Sequence, residues 1–234
     1  MSGTLDWSAI DLVVFDVDGT LYDQRRLRVA MLGHLLAEAL RSRSLDTLRI
    51  LRTFRKVREA LGEEAGADFL AEQYARTAQR HGRTAAEVQA LATDWMEVRP
   101  LQRLAACRYD HVDRVFAGLL SAGKQVAVFS DYPAAAKLQA LGLQAHPIVC
   151  ATDADVGRLK PDPRGLHSIL QSTEVPAART LMIGDRFDRD AEVARRAGVR
   201  ALIRSPRPHP EVDTFRTYAD PVFQPLLLGT AVVA

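Results

Sequence analysis

VVFDVDGTLYD, residues 13–23, carries an apolar run straight into two acids and a turn. Val13, Val14 and Phe15 are β-branched or aromatic with no polar break, the pattern of a strand buried on both faces. Gly19 follows, where backbone angles that other residues resist allow a sharp exit. Asp16 and Asp18 therefore stand at the carboxyl end of a buried strand, where open α/β sheets bind their ligands. Asp and Gly are also common turn residues, so the stretch alone fits a plain loop as well. The rest of the chain decides.

Downstream, residues 24 to about 105 carry helical spacing and no strand pattern. Leu32, Leu35, Leu36, Ala39 and Leu40 recur on a helical period, as do Leu45, Leu48, Leu51, Phe54, Val57 and Leu61. Thr84 and Glu87 occupy capping-box positions ahead of Val88, Leu91 and Trp95. From about residue 110 the pattern alternates. Strands are expected at VAVF (126–129), PIVC (147–150), TLMI (180–183) and VRALI (199–203), with helices between them. One of these helices has Asp162 as its N-cap and Pro163 at its first position. Alternation with short connections predicts an α/β fold, a doubly wound parallel sheet with right-handed crossovers. The helical block is then an all-helical insert, dividing the chain into a core (1–23 and 106–234) and a cap (24–105). The Pro-rich SPRPHP (205–210) leads into a tail expected to be irregular.

Other strand ends match the first. VAVFSD delivers Ser130, GRLKPDP places Lys160 ahead of a helix, and LMIGDRFDRD delivers Asp185 with Asp188 and Asp190 behind it. In a parallel sheet these side chains gather along one edge. Asp16, Asp185 and Asp190 would give the hard oxygen set that magnesium prefers. Lys160 would add a fixed cation, and Ser130 with nearby backbone N–H groups could donate to a phosphoryl group. A carboxylate facing a clamped phosphorus can attack it, and a second acid two residues on can move the protons.

The set DVDGT, VFSD, KP and GDRFDRD, in this order, resembles the four motifs of the haloacid dehalogenase superfamily. The likeness runs from Asp11 to about Ile203. It implies Asp16 as nucleophile, Asp18 as general acid/base, Ser130 as phosphoryl ligand and Lys160 as its stabilising cation. It implies Asp16, the backbone carbonyl of Asp18, Asp185 and Asp190 around magnesium, with Thr20 supporting the loop. Asp190 is preferred to Asp188 because its distance to Ala197–Gly198 suits the motif. Members that cleave carbon–halogen bonds lack an acid at the Asp18 position, whereas phosphatases and phosphomutases have one. A helical insert after the first motif resembles the cap of the phosphoglycolate-phosphatase-like members. Two residues depart from the pattern: Asp131 stands where Asn is frequent, and Arg186 stands where Ser is commoner, as a cation that could offset Asp131.

The bulk properties narrow the alternatives. The 234 residues are 47% hydrophobic and 26% charged, enough for a sizeable core. A net charge of +2 is too weak to argue for nucleic acid. Two cysteines, Cys107 and Cys150, suggest neither a disulfide framework nor a thiolate zinc site. No run reaches the roughly 20 apolar residues of a membrane span. MSGTLDWSAIDLVV lacks the marks of a signal peptide, so a cytoplasmic setting is expected. Arg49, Arg52, Arg55 and Arg58 form a stripe read as a solvated face, and the scattered histidines receive no role. The apolar PLLLGTAVVA (225–234) is expected to pack on the sheet or in a homodimer contact. The expected activity is a magnesium-dependent phosphatase acting on a small phosphorylated metabolite. A sugar phosphomutase and a non-catalytic binding module are the rival readings.

Overall fold

The computed structural model describes residues 5–64 and 68–229. Its six-stranded sheet is parallel throughout and runs in the order β3-β2-β1-β4-β5-β6. β1 (Leu12–Phe15) is central, between β2 (Gln125–Ser130) and β4 (Thr180–Gly184). β3 (Ile148–Cys150) flanks β2, while β5 (Arg200–Arg204) and β6 (Asp213–Phe215) continue beyond β4. The direction in which successive strands are added reverses between β1 and β4, which opens a crevice there.

The unbroken apolar run of β1 follows from burial on both faces. Val13 and Phe15 pack with α6 (Val112–Ser121), α7 (Ala135–Leu141) and α10 (Gln224–Gly229). Leu12 and Val14 face α8 (Arg164–Thr173) and α9 (Glu192–Arg196). The sheet is thus the middle of three layers, as the sequence pattern predicts. On one side α10 closes tightly on α6: a Cβ at Gly118 would lie 2.3 Å from the Leu226 carbonyl oxygen. The described part of the apolar tail therefore packs on the core; residues 230–234 lie outside the described residues.

Between β1 and β2 the chain is all-helical. It runs through α1 (Gln24–Ser42), α2 (Asp46–Glu63), α3 (Phe69–His81), α4 (Ala85–Ala92) and α5 (Leu101–Cys107) before α6. The expected Thr84–Glu87 capping box is formed, with reciprocal bonds of 3.2 and 2.8 Å. A π-helical turn, Thr93–Val98, extends α4 and carries Trp95. Ile50, Phe54, Ala78, Val88 and Ala92 give the insert a small core of its own. Val57, Leu61 and Phe69 meet Ala151 and Leu159 of the sheet domain.

Three expectations need correction. The tail is not irregular: Asp213–Phe215 adds the sixth strand, and the buried Tyr218 hydroxyl donates to the Thr20 carbonyl at 2.9 Å. The helix expected at Pro163 begins at Arg164; Pro163 takes the cap position, and Asp162 still accepts the Arg164 N–H at 2.9 Å. On α1, Leu32, Leu36 and Leu40 are exposed, whereas Leu27 and Met31 are buried and Leu35 is half-buried. One residue advances a helix by about 100°, so the inward face is that of Leu27, Met31 and Leu35.

Candidate active site

The sheet register sets the site. Phe15 pairs with Val128 on one side and Ile183 on the other, so the residues just beyond them leave three neighbouring strands at one level. Asp16 is the first such residue after β1, and Asp185 follows the last residue of β4. Gly19 makes the closeness possible: its φ is +101°, and a Cβ there would fall 2.2 Å from the Asp185 carboxylate.

Asp16, Asp185 and Asp190 bring oxygen atoms within 4.8 Å of one another. Lys160, buried, ties two of them together, with its Nζ 2.6 Å from Asp16 Oδ1 and 2.6 Å from Asp190 Oδ1. Thr20 donates to the second Asp16 oxygen at 2.9 Å. The second Asp190 oxygen accepts the backbone N–H groups of Asp185 and Arg186, at 3.1 and 3.0 Å. Asp188, by contrast, turns outward and pairs with Arg186 at 2.6 Å. Of the two acids weighed for partnership with Asp185, Asp190 is the one in the cluster.

These contacts set unequal proton affinities. Burial pushes Asp16 well above the ordinary carboxylate range against the pull of Lys160, and Asp190 and Asp185 add to the rise. Burial, then the charge of Asp190, pushes Asp185 up to about 7. Burial would lower Lys160, but Asp16, Asp190 and Asp131 outweigh it and keep the ammonium charged. Asp18 behaves in the opposite way to Asp16. Burial would raise it, yet Lys137, 2.6 and 2.7 Å from its two oxygens, and the Tyr22 hydroxyl hold it below the usual range.

Ser130 and Asp131 end β2 on the same edge. Ser130 is buried and its hydroxyl accepts the Tyr132 N–H at 3.2 Å, shaping the turn. Asp131 accepts the Lys160 backbone N–H at 2.9 Å, which anchors the lysine loop. Its charge is not offset by Arg186, which reaches Glu59 and Asp188 instead. The cations beside it are Lys160 and then Arg58, which donates to the Asp131 carbonyl and to Gln73 and stacks over Tyr132 at 4.0 Å. The arginine stripe is accordingly divided: Arg49 and Arg52 are solvated, Arg55 faces the cavity above the acids, and Arg58 is buried. Sequence reasoning missed Arg58, Lys137 and Tyr22 as site residues. The i,i+3 step from Arg55 to Arg58 runs down one helix face, but which face met the sheet was not in the pattern.

The acids form the floor of a cavity of about 260 Å³ roofed by the helical insert. A divalent cation fits this floor. Three carboxylates offer hard oxygen donors, and burial together with the neighbouring acids raises the proton affinities of Asp16 and Asp185, a cost that a bound cation would relieve. Asp16, Asp185 and Asp190 are the residues that would hold it.

Comparison with known proteins agrees with this geometry. The model of the haloacid dehalogenase-like hydrolase family matches residues 10–198. The chain belongs to that family. It is 31% identical over 197 residues to phosphoglycolate phosphatase of Rhodospirillum rubrum, covering 82% of this chain and 78% of that one. Its fold is similar to the HAD-hydrolase YfnB from Bacillus subtilis bound to magnesium, with a TM-score of 0.65 at 16% identity over 89% and 95% of the two chains. It is also similar to CbbY from Rhodobacter sphaeroides in complex with phosphate, with a TM-score of 0.57 at 20% identity over 90% and 96%. The helical insert after β1 is the cap of this family, and no helix among the described residues is long and apolar enough to cross a membrane.

Proposed function

We propose that the chain is a magnesium-dependent phosphatase that hydrolyses a small phosphomonoester through an aspartyl-phosphate on Asp16, with residues 24–105 as its cap and the cytoplasm as its setting. The observation that carries this reading is geometric: Asp16, Asp185 and Asp190 gather around Lys160, with Asp18 beside them on Lys137, at the floor of one cavity. Magnesium, when bound, neutralises charge on the acids and on the phosphoryl group. A carboxylate oxygen of Asp16 forms the new bond to phosphorus as the bond to the leaving oxygen breaks. Lys160 keeps Asp16 in place and offsets the charge on the transferring group. Asp18 gives its proton to the leaving oxygen, then takes one from the water that attacks the aspartyl-phosphate. That attack breaks the bond from phosphorus to Asp16 and restores the carboxylate.

The free site holds Asp18 ionised through Lys137. An incoming phosphate dianion competes for Lys137 and so raises the proton affinity of Asp18 for the first step. Ser130 and Asp131 shape the phosphoryl end, where backbone N–H groups donate. The test is release of inorganic phosphate from an aryl phosphate with magnesium. Return of the phosphoryl group to the substrate as an isomer would identify a mutase, and binding without turnover would identify a non-catalytic module.

A further inference from the structure

The cavity is lined by two unlike sets of side chains. Its polar side chains sit close to the acids: Arg55 and Arg28 lie beside Tyr22 and Asp18, and Glu97 has Lys137 and Arg58 as charge neighbours. The apolar part of its lining comes from the cap: Leu27, Met31 and Leu35 from α1, which also carries Arg28, then Leu51 from α2, Trp95, and Leu104 from α5. Apart from the Trp95 indole N–H, these side chains offer a bound molecule no hydrogen-bond partner. Five of them belong to the core they share with the sheet domain and Leu35 packs against it, so the wall is firmly packed from behind. Arg99 stacks on the Trp95 ring at 4.2 Å.

Protein interiors leave few voids larger than a water molecule, so a cavity of about 260 Å³, lined jointly by the acids and this wall, is not ordinary packing. A polyol placed there would bury hydroxyls without partners, each at a cost comparable to a lost hydrogen bond. An apolar group would instead leave water for surface of its own kind. We infer that the cap-lined part of the cavity is a leaving-group subsite for an apolar body. The substrates are then phosphomonoesters of small aliphatic or aromatic alcohols rather than of sugars or polyols. This rests on the phosphatase reading above and names its substrate class.

A homologous series tests it. Propyl, butyl and pentyl phosphates have leaving groups of nearly equal basicity, so their chemistry is constant and only apolar burial changes. kcat/KM should climb with each methylene, by up to roughly fourfold, until the cavity is full. Glycerol phosphate, glucose phosphate and phosphoglycolate should fall below butyl phosphate. Leu35, half-buried, tolerates a polar change, and Leu35→Gln should flatten the climb. The same steps should appear without turnover, as tighter binding of longer alkylphosphonates followed by Trp95 emission. A flat or falling series in both assays would overturn the subsite, as would faster turnover of glucose phosphate than of butyl phosphate. An unchanged climb in Leu35→Gln would remove α1 from the wall. Loss of all turnover with the phosphonate steps intact would defeat the phosphatase reading and leave the subsite standing. If Leu35→Gln fails to fold, the phosphonate titration of the unaltered chain decides alone.

Discussion

The floor of the cavity and its cap wall are built on opposite principles. On the floor, Asp16, Asp18, Asp190 and Lys160 are each held by at least two bonds, and the positions come from β1, β4 and the loop before α8. On the wall, Leu27, Met31 and Leu51 are held by shape alone, from helices that share a core with the sheet domain. A charged group displaced by a fraction of an ångström loses directional bonds, whereas an apolar one gives way gradually. On the proposed function, chemistry is confined to the part of the fold with least freedom, and selectivity falls to the part that can be recut without disturbing it.

Substitutions on the floor should show this rigidity as steep losses. Asp16→Asn should bring turnover to background with the thermal midpoint nearly kept, since an amide cannot form the acyl phosphate. Removal of magnesium with a chelator should do the same, reversibly. Asp18→Asn should cost about 10²- to 10⁴-fold. An aryl phosphate should suffer less than an alkyl one in the first step, so aspartyl-phosphate should accumulate and be visible by mass after rapid quenching. Equal losses for both, with no trapped intermediate, would reduce Asp18 to shaping the loop. Lys160→Ala should lose roughly 10²-fold or more in rate. It should also destabilise the metal-free protein, because three acids would share a buried floor with no cation among them. Near-normal rates in Lys160→Ala would sever the floor from the chemistry.

A smaller effect should appear in stability. Without metal, folded Asp185 keeps its proton up to about 7, while an unfolded aspartate loses it near 3.9. Between those values the folded state holds more protons, so stability should fall as pH rises from about 4 to about 7 and level off above. Magnesium should oppose that fall. Urea midpoints measured in chelator and in magnesium across this range check the sign. A rise with pH in chelator would mean that the floor acids ionise freely without a cation.

Much of the floor could be read from the chain because strands report themselves locally. An apolar run ending in Asp16, and another ending in Gly184–Asp185, fix both the element and the edge on which the acids emerge. The cap was legible only as helices. Period alone does not say which face a helix turns inward, so Leu32 and Leu36 looked as buried as Leu35, and Met31 was passed over. Partners brought from far along the chain were silent for the same reason: Lys137 meets Asp18 across 119 positions. β6 was missed because three residues behind a Pro-rich stretch carry almost no period.

Arg58 offers the finest test, because it belongs to the cap yet is held like the floor. Read in sequence with Arg49, Arg52 and Arg55 it is one more solvated cation, and substitution of such a residue shifts stability by no more than about 0.5 kcal/mol. In the fold it is buried, donates to Gln73 Oε1 at 3.0 Å and to the Asp131 carbonyl, and lies against Tyr132 and Phe69. Arg58→Met keeps the length and loses the donors, which leaves Gln73 Oε1 buried without its partner. The expected cost is about 1–3 kcal/mol, with Arg58→Lys recovering only part, because an ammonium cannot reproduce the planar fork. The acids follow β1 and β4 and are not carried by the cap, so kcat should change by only a few-fold. KM should rise by more, since Arg58 ties the roof of the cavity to the turn that carries Asp131. A stability change below about 0.5 kcal/mol with an unchanged KM would return Arg58 to the solvated face. Cap and floor would then be joined at this edge through Glu59 with Arg186 and Arg189 alone among the ion pairs described.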